Sequence, residues 1–159
     1  MPTTKNDLPA TTRSKVNELC AARLADAIDL AYQAKQAHWN VKGPSFIALH
    51  ELFDKVADEA RDHADTIAER VVQLGGIVEG TIRAAAKRSS LAEYPLTTTD
   101  QTEHVQALST ALATFGKAAR TAIDQCDELR DRDSADLFTE VSRGIDKLLW
   151  MVEAHLPAK

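Results

Sequence analysis

Apolar positions recur by threes and fours along most of the chain, and that period predicts four long helices. Val16, Leu19, Leu24, Ala27, Ile28 and Ala31 mark the first, from about Arg13 to His38 or Asn40. Asn40-Val41-Lys42-Gly43-Pro44-Ser45 stops it, with Gly43 suited to a helix end, Pro44 blocking continuation and Ser45 placed to cap the next helix. The second runs from Phe46 to Gln73 and ends at Gly75-Gly76. Val105, Leu108, Leu112, Phe115, Ala119, Ala122, Cys126 and Leu129 mark a third, starting near Asp100, which with Glu103 resembles a capping box. Gly116 within it costs about 1 kcal/mol against Ala and favours close packing. Leu137, Val141, Ile145, Leu148, Leu149 and Val152 line a fourth, from about Ala135 to His155, with Asp133 or Ser134 as its cap.

Residues 77–98 are too long for a tight turn between the second and third helices. Within them TIRAAAKRSS reads as a short helix, ended by Tyr94-Pro95. A crossover of this length takes a four-helix bundle away from simple up-down order. The polar, proline-bearing residues 1–12 read as a mobile tail, and residues 13–156 as one bundle domain.

Composition agrees with an all-α domain. The 159 residues suffice for one core; 44% are hydrophobic and only 5% aromatic, drawn mostly from Ala, Leu, Val and Ile. A formal net charge of −5 argues against a general polyanion binder and is compatible with handling cations. Cys20 and Cys126 lie far apart and form no CxxC, so they read as reduced core thiols of a cytoplasmic protein. No signal-like segment or transmembrane-length apolar run is present.

The chemistry concentrates in the second helix. His50 and Asp54 are four residues apart, as are Asp65 and Glu69, and at about 100° per residue all four share one stripe. Asp54 and Asp65 are nevertheless about 16 Å apart along the axis, whereas ligands lie only about 2.0–2.3 Å from one ion. The helix therefore offers two half-sites. Two antiparallel copies about a two-fold axis would complete two equivalent sites. Folding the first turn brings His38 to the end carrying His50 and Asp54. Imidazole with carboxylates suits Fe(II), and also Zn(II), Mn(II) or Co(II). No Glu is followed by His three residues later, so the Glu-x-x-His pairs of intrachain di-iron bundles are absent.

Lys35-Gln-Ala-His-Trp-Asn-Val-Lys-Gly43, Phe46-Ile-Ala-Leu-His50-Glu-Leu-Phe-Asp54 and Asp62-His-Ala-Asp65-Thr-Ile-Ala-Glu69-Arg, followed by Val-Gln-Leu-Gly-Gly76, resemble the signature of the Dps family, the mini-ferritins. Ser90-Leu-Ala-Glu-Tyr-Pro95 and Asp146-Lys-Leu-Leu-Trp150 extend the likeness over nearly the whole chain. The resemblance implies a ferritin-like four-helix bundle with a short helix in the crossover, assembled as a dodecameric shell. It implies ferroxidase sites at two-fold interfaces, with His38, His50 and Asp54 from one subunit and Asp65 and Glu69 from its partner. Trp39 matches an aromatic residue given a part in electron transfer, with interface packing as the alternative. Lys35 and His63 are candidates for supporting the ligands. Asp131, Asp133 and Asp136 fall where the family lines its three-fold pores. The expected activity is oxidation of Fe(II), preferentially by hydrogen peroxide rather than dioxygen, with Fe(III) mineral stored in the shell and DNA thereby protected.

DNA binding divides the readings. The tail carries Lys5, Asp7, Arg13 and Lys15 through its junction with the first helix, and Lys159 adds one charge at the other end. Twelve copies would multiply weak phosphate contacts. The alternative function is a nucleoid-associated, DNA-binding structural protein with little ferroxidase activity.

Overall fold

A computed structural model describes residues 3–157. Five helices follow one another: α1 (Ala10–Asn40), α2 (Phe46–Gln73), α3 (Ile82–Arg88), α4 (Gln101–Glu128) and α5 (Arg132–Glu153). Among the described residues there are no strands, only an isolated bridge between Lys42 and Asp100. The largest helix contacts are α1 with α2 and α4 with α5, while α1 also meets α3 and α4 and α2 meets α5. Phe53, Phe115, Phe138, Leu30, Leu49 and Ile145 are fully buried between these helices. No helix among the described residues is long and apolar enough to cross a membrane. Both cysteines are buried and unpaired, and burial pushes both thiols up to about 12.

The helix ends show what the periodicity alone could not. α1 begins at Ala10, three residues before the expected start, and Leu8 packs against the core. Arg13 secures this entry: its Nε donates to the Leu8 carbonyl (3.0 Å) and its Nη1 to that of Leu74 (3.3 Å). Ser45 precedes α2, but its side chain caps nothing. Asp100 caps α4 through Thr102 N and Glu103 N, whereas the Glu103 carboxylate turns to the Thr98 hydroxyl, so only half of a capping box forms. α5 starts at Arg132, with Asp131 rather than Asp133 or Ser134 as its cap.

α2 and α4 close in the same way. Gly76 N bonds to the Val71 carbonyl and Gly75 N to that of Val72, around Gly75 at φ 76°. Asp131 N bonds to the Cys126 carbonyl and Arg130 N to that of Asp127, around Arg130 at φ 61°. Both are Schellman closures. Glycine takes that conformation freely, and Arg130 takes it at a cost. Gly116 lies against α5, where an added Cβ would meet Ile145 and Asp146 at 3.3 Å. The crossover is fastened to α1 by side chains. Asp26 accepts from Ser90 N and Oγ, Asp29 accepts from Ser89 Oγ, and Gln33 and Gln36 donate to the Ala92 and Leu96 carbonyls.

Candidate metal centre

The turn between α1 and α2 brings two imidazoles face to face. His38 and His50 stack with ring centroids 3.7 Å apart and an interplanar angle of 20°. His38 Nδ1 lies 2.7 Å from the His50 carbonyl oxygen, and His50 Nδ1 lies 2.8 Å from that of His38. A carbonyl only accepts, so each Nδ1 carries a proton, which leaves Nε2 as the nitrogen able to bind a metal. That is how an outer hydrogen bond fixes the tautomer of a metal-binding histidine. Phe46 packs beside His50 at 5.1 Å.

The turn is held from outside. Lys42 N donates to the Thr99 carbonyl (2.8 Å) and Ser45 N to Gln101 Oε1 (3.0 Å). Gln101 lies across Gly43 so closely that a Cβ there would fall 2.4 Å from its Oε1, and φ at Gly43 is +148°. The start of α4 thus sets the register in which the histidines meet.

Asp54 is half-exposed and carries a counter-ion. Lys35 Nζ lies 2.6 Å from its Oδ1, and that hydrogen bond holds the Asp54 carboxyl below the usual range against a smaller opposing effect of desolvation. The same ammonium lies 5.7 Å above the Trp39 ring, which is 63% exposed. Asp65 and Glu69 are exposed further along α2, and Asp65 borders a groove of about 420 Å³ with Tyr32, Arg61 and Ile82. Among the described residues, no three His, Cys, Asp or Glu side chains gather into a group able to hold a metal ion. His38, stacked on His50, and Asp54 one turn of α2 beyond His50 do not close into such a group, and Asp65 and Glu69 lie further along the same helix.

The other candidates divide. His63 is half-buried against α5, where a Cβ on Gly144 would fall 2.7 Å from its Nε2. Burial holds its imidazole below the ordinary value, opposed by Glu59, Glu140 and Asp62. Asp133 and Asp136 are exposed at the start of α5. Asp131 is not beside them at the surface: it is 2% exposed, accepts from Arg70 Nη2 at 2.8 and 3.1 Å, and caps Ser134 N at 3.1 Å. Ser134 Oγ donates to Asp131 and accepts from Arg70 Nε. A carboxylate so engaged has no face left for a pore.

Sequence reasoning missed this Arg70–Asp131 pair and a second buried contact, Tyr94 with His104. Both had a signal. Arg70 lies between Ile67 and Val71, and His104 four residues before Leu108, on stripes that are otherwise apolar.

The ferritin-like domain family matches residues 18–158. The DNA protection during starvation protein of Agrobacterium fabrum is 46% identical over 98% of this chain and 96% of its own. The chain belongs to the Dps family of ferritin-like proteins. Among solved structures, Dps of Mycobacterium smegmatis superposes with a TM-score of 0.93 at 31% identity, over 98% of this chain and 95% of that one. Dps from Microbacterium arborescens, solved in a high iron form, superposes at 0.85 with 33% identity, over 98% of both chains. The all-helical bundle with the short α3 in its crossover is the fold expected of a Dps chain.

Proposed function

We propose that this Dps protein oxidises Fe(II) at sites shared by two-fold-related subunits and stores the ferric product inside a shell of twelve. The carrying observation is the reciprocal pair of hydrogen bonds between His38 and His50, which directs both Nδ1 atoms to carbonyls and leaves both Nε2 atoms available, with Asp54 one turn of α2 beyond His50. Asp65 and Glu69 of a second subunit would complete the set. Exposed apolar groups that a second subunit would cover are Tyr32, Trp39 and Ile82 around one groove, and Phe46 and Ile47 at the start of α2.

Fe(II) is the substrate. His38 and His50 offer nitrogen, and Asp54, Asp65 and Glu69 offer oxygen, a set matched to a borderline cation. Lys35 neutralises Asp54 until the ion arrives, and the Trp39 face is an alternative seat for its ammonium. Two Fe(II) supply the two electrons that break the peroxide O–O bond, giving two Fe(III) and, with two protons, two waters. Because no electron is left over, no hydroxyl radical escapes, and DNA is protected chemically. Fe(III) then hydrolyses to an oxyhydroxide in the cavity. Zn(II) would compete for the same ligands. Exposed Asp133 and Asp136 would draw cations toward the three-fold pores, without Asp131.

A direct DNA role has less support. The Arg13 guanidinium is engaged by the Leu8 and Leu74 carbonyls, so the tail's contribution falls to Lys5 and Lys15, opposed by Asp7. Met1, Pro2, Ala158 and Lys159 lie outside the described residues. The test is anaerobic Fe(II) loading followed by hydrogen peroxide, with ferric absorbance read against time. His38→Ala combined with Asp65→Ala slows oxidation at least about tenfold in an intact shell. An unchanged rate contradicts the assignment.

A further inference from the structure

Tyr94 and His104 form a contact that the two-iron reaction does not use. Tyr94 comes from the crossover and His104 from the first turn of α4. Tyr94 Oη lies 2.8 Å from His104 Nδ1, and the rings stack at 5.9 Å with 16° between their planes. His104 is fully buried and Tyr94 half-buried. Burial holds the His104 imidazole below its ordinary value near 6.5, against smaller opposing effects of the Thr98 backbone, Glu103 and Asp100, and pushes the Tyr94 phenol upward. At neutral pH the phenol therefore donates and a neutral imidazole accepts.

The pair is connected to the iron ligands by rings. His104 meets Phe53 edge-on, with centroids 6.4 Å apart. Phe53 shares one turn of α2 with His50 and Asp54. Tyr94 also lines a cavity of about 590 Å³ together with Trp39 and Tyr32. A phenol is a poor one-electron donor when its proton has nowhere to go, because the cation radical is a strong acid. A base already in hydrogen-bond contact removes that barrier.

We infer that Tyr94, with His104 as its proton acceptor, supplies the missing electron when a site holding a single Fe(II) meets hydrogen peroxide. This rests on the ferroxidase reading above. Peroxide takes two electrons as its O–O bond breaks. One comes from Fe(II), which becomes Fe(III). The other comes from Tyr94, whose phenolic proton passes to His104 Nδ1. Two protons from solvent complete two waters. The products are a neutral tyrosyl radical and an imidazolium, and no hydroxyl radical leaves the site.

The experiment is rapid-freeze electron paramagnetic resonance of the assembled protein, loaded with one Fe(II) per site and mixed with one equivalent of hydrogen peroxide. A spin trap for hydroxyl radical is used in parallel. The expected result is a tyrosyl signal that persists in Tyr32→Phe and vanishes in Tyr94→Phe. His104→Gln, which keeps an acceptor but no base, weakens the signal several-fold. Trapped hydroxyl radical rises at least about twofold in Tyr94→Phe. Normal iron oxidation with no tyrosyl signal, or with one that survives Tyr94→Phe, overturns the inference and leaves the ferroxidase reading standing. Failure of the wild-type protein to oxidise Fe(II) at all sinks that reading, and this inference with it.

Discussion

Two ion pairs in this molecule have similar lengths and opposite characters. Lys35 and Asp54 meet at 2.6 Å with 16% and 44% of their side chains exposed; Arg70 and Asp131 meet at 2.8 Å with 10% and 2% exposed. At Asp131 the Arg70 Nη2 bonds both oxygens, and Ser134 adds two further bonds while accepting from Arg70 Nε. Nothing is left over and water is excluded, so removing one partner strands a buried charge. At Asp54 the ammonium is one flexible point charge in partial contact with solvent, bonded to a single carboxylate oxygen. The first pair joins the end of α2 to the start of α5. On the proposed function, the second gives way to a cation. Length does not separate a structural ion pair from an exchangeable one; burial and the number of satisfied lone pairs do.

The contrast breaks most sharply under truncation. Asp131→Ala lowers folding stability by about 3–5 kcal/mol in urea denaturation. Asp54→Ala leaves the urea midpoint unchanged and weakens Fe(II) binding in anaerobic titration. Equal losses of stability in the two variants would mean that the hairpin end is structural as well.

Acid gives a second comparison. The folded-state pKa of His104 lies below its ordinary value near 6.5 because of burial. The unfolded chain therefore takes up the proton first as pH falls through 6.5, and folding loses stability until the depressed folded value is reached. Melting followed from pH 7.5 to 5 declines less steeply in His104→Gln than in wild type. Parallel slopes would show that His104 is not the titrating group.

Lys35→Met sharpens the exchange argument. Without the ammonium to displace, Fe(II) binds several-fold more tightly in anaerobic titration, and the melting temperature stays put. Weaker binding would mean that Lys35 orients Asp54 for the ion instead of competing with it. The smallest effect is expected at the strained α4 closure. Arg130→Gly relieves the φ of 61° and raises stability by about 0.5 kcal/mol, net of the extra freedom glycine gives the unfolded chain.

The hairpin end was legible in the sequence because spacing carries it. His50 with Asp54 and Asp65 with Glu69 sit at helical intervals, and their separation along one axis ruled out one ion held by both pairs, leaving a second chain or help from elsewhere in this one to complete a site. The four long helices were legible from their apolar period, and the Dps signature named their arrangement. At the Arg70 end the sequence showed a charge on an apolar stripe but not what it meets. Its partners lie 61 and 64 positions away, and nothing local distinguishes Asp131 from its acidic neighbours. The capping residue of α5 was misplaced for the same reason, since which acid turns inward depends on where Arg70 arrives. Tyr94 and His104 are ten positions apart, but a crossover without period gave no basis for pairing them.

The central claim is that each iron site is divided between two subunits, and complementation tests it directly. One variant, His50→Ala with Asp54→Ala, lacks the first half; another, Asp65→Ala with Glu69→Ala, lacks the second. Each alone is inactive. Dissociated, mixed in equal amounts and reassembled, they regain about a quarter of wild-type Fe(II) oxidation, because half of the random dimers are mixed and each of those restores one site of two. A mixture as inactive as its parents, in shells of correct mass, would contradict the shared site.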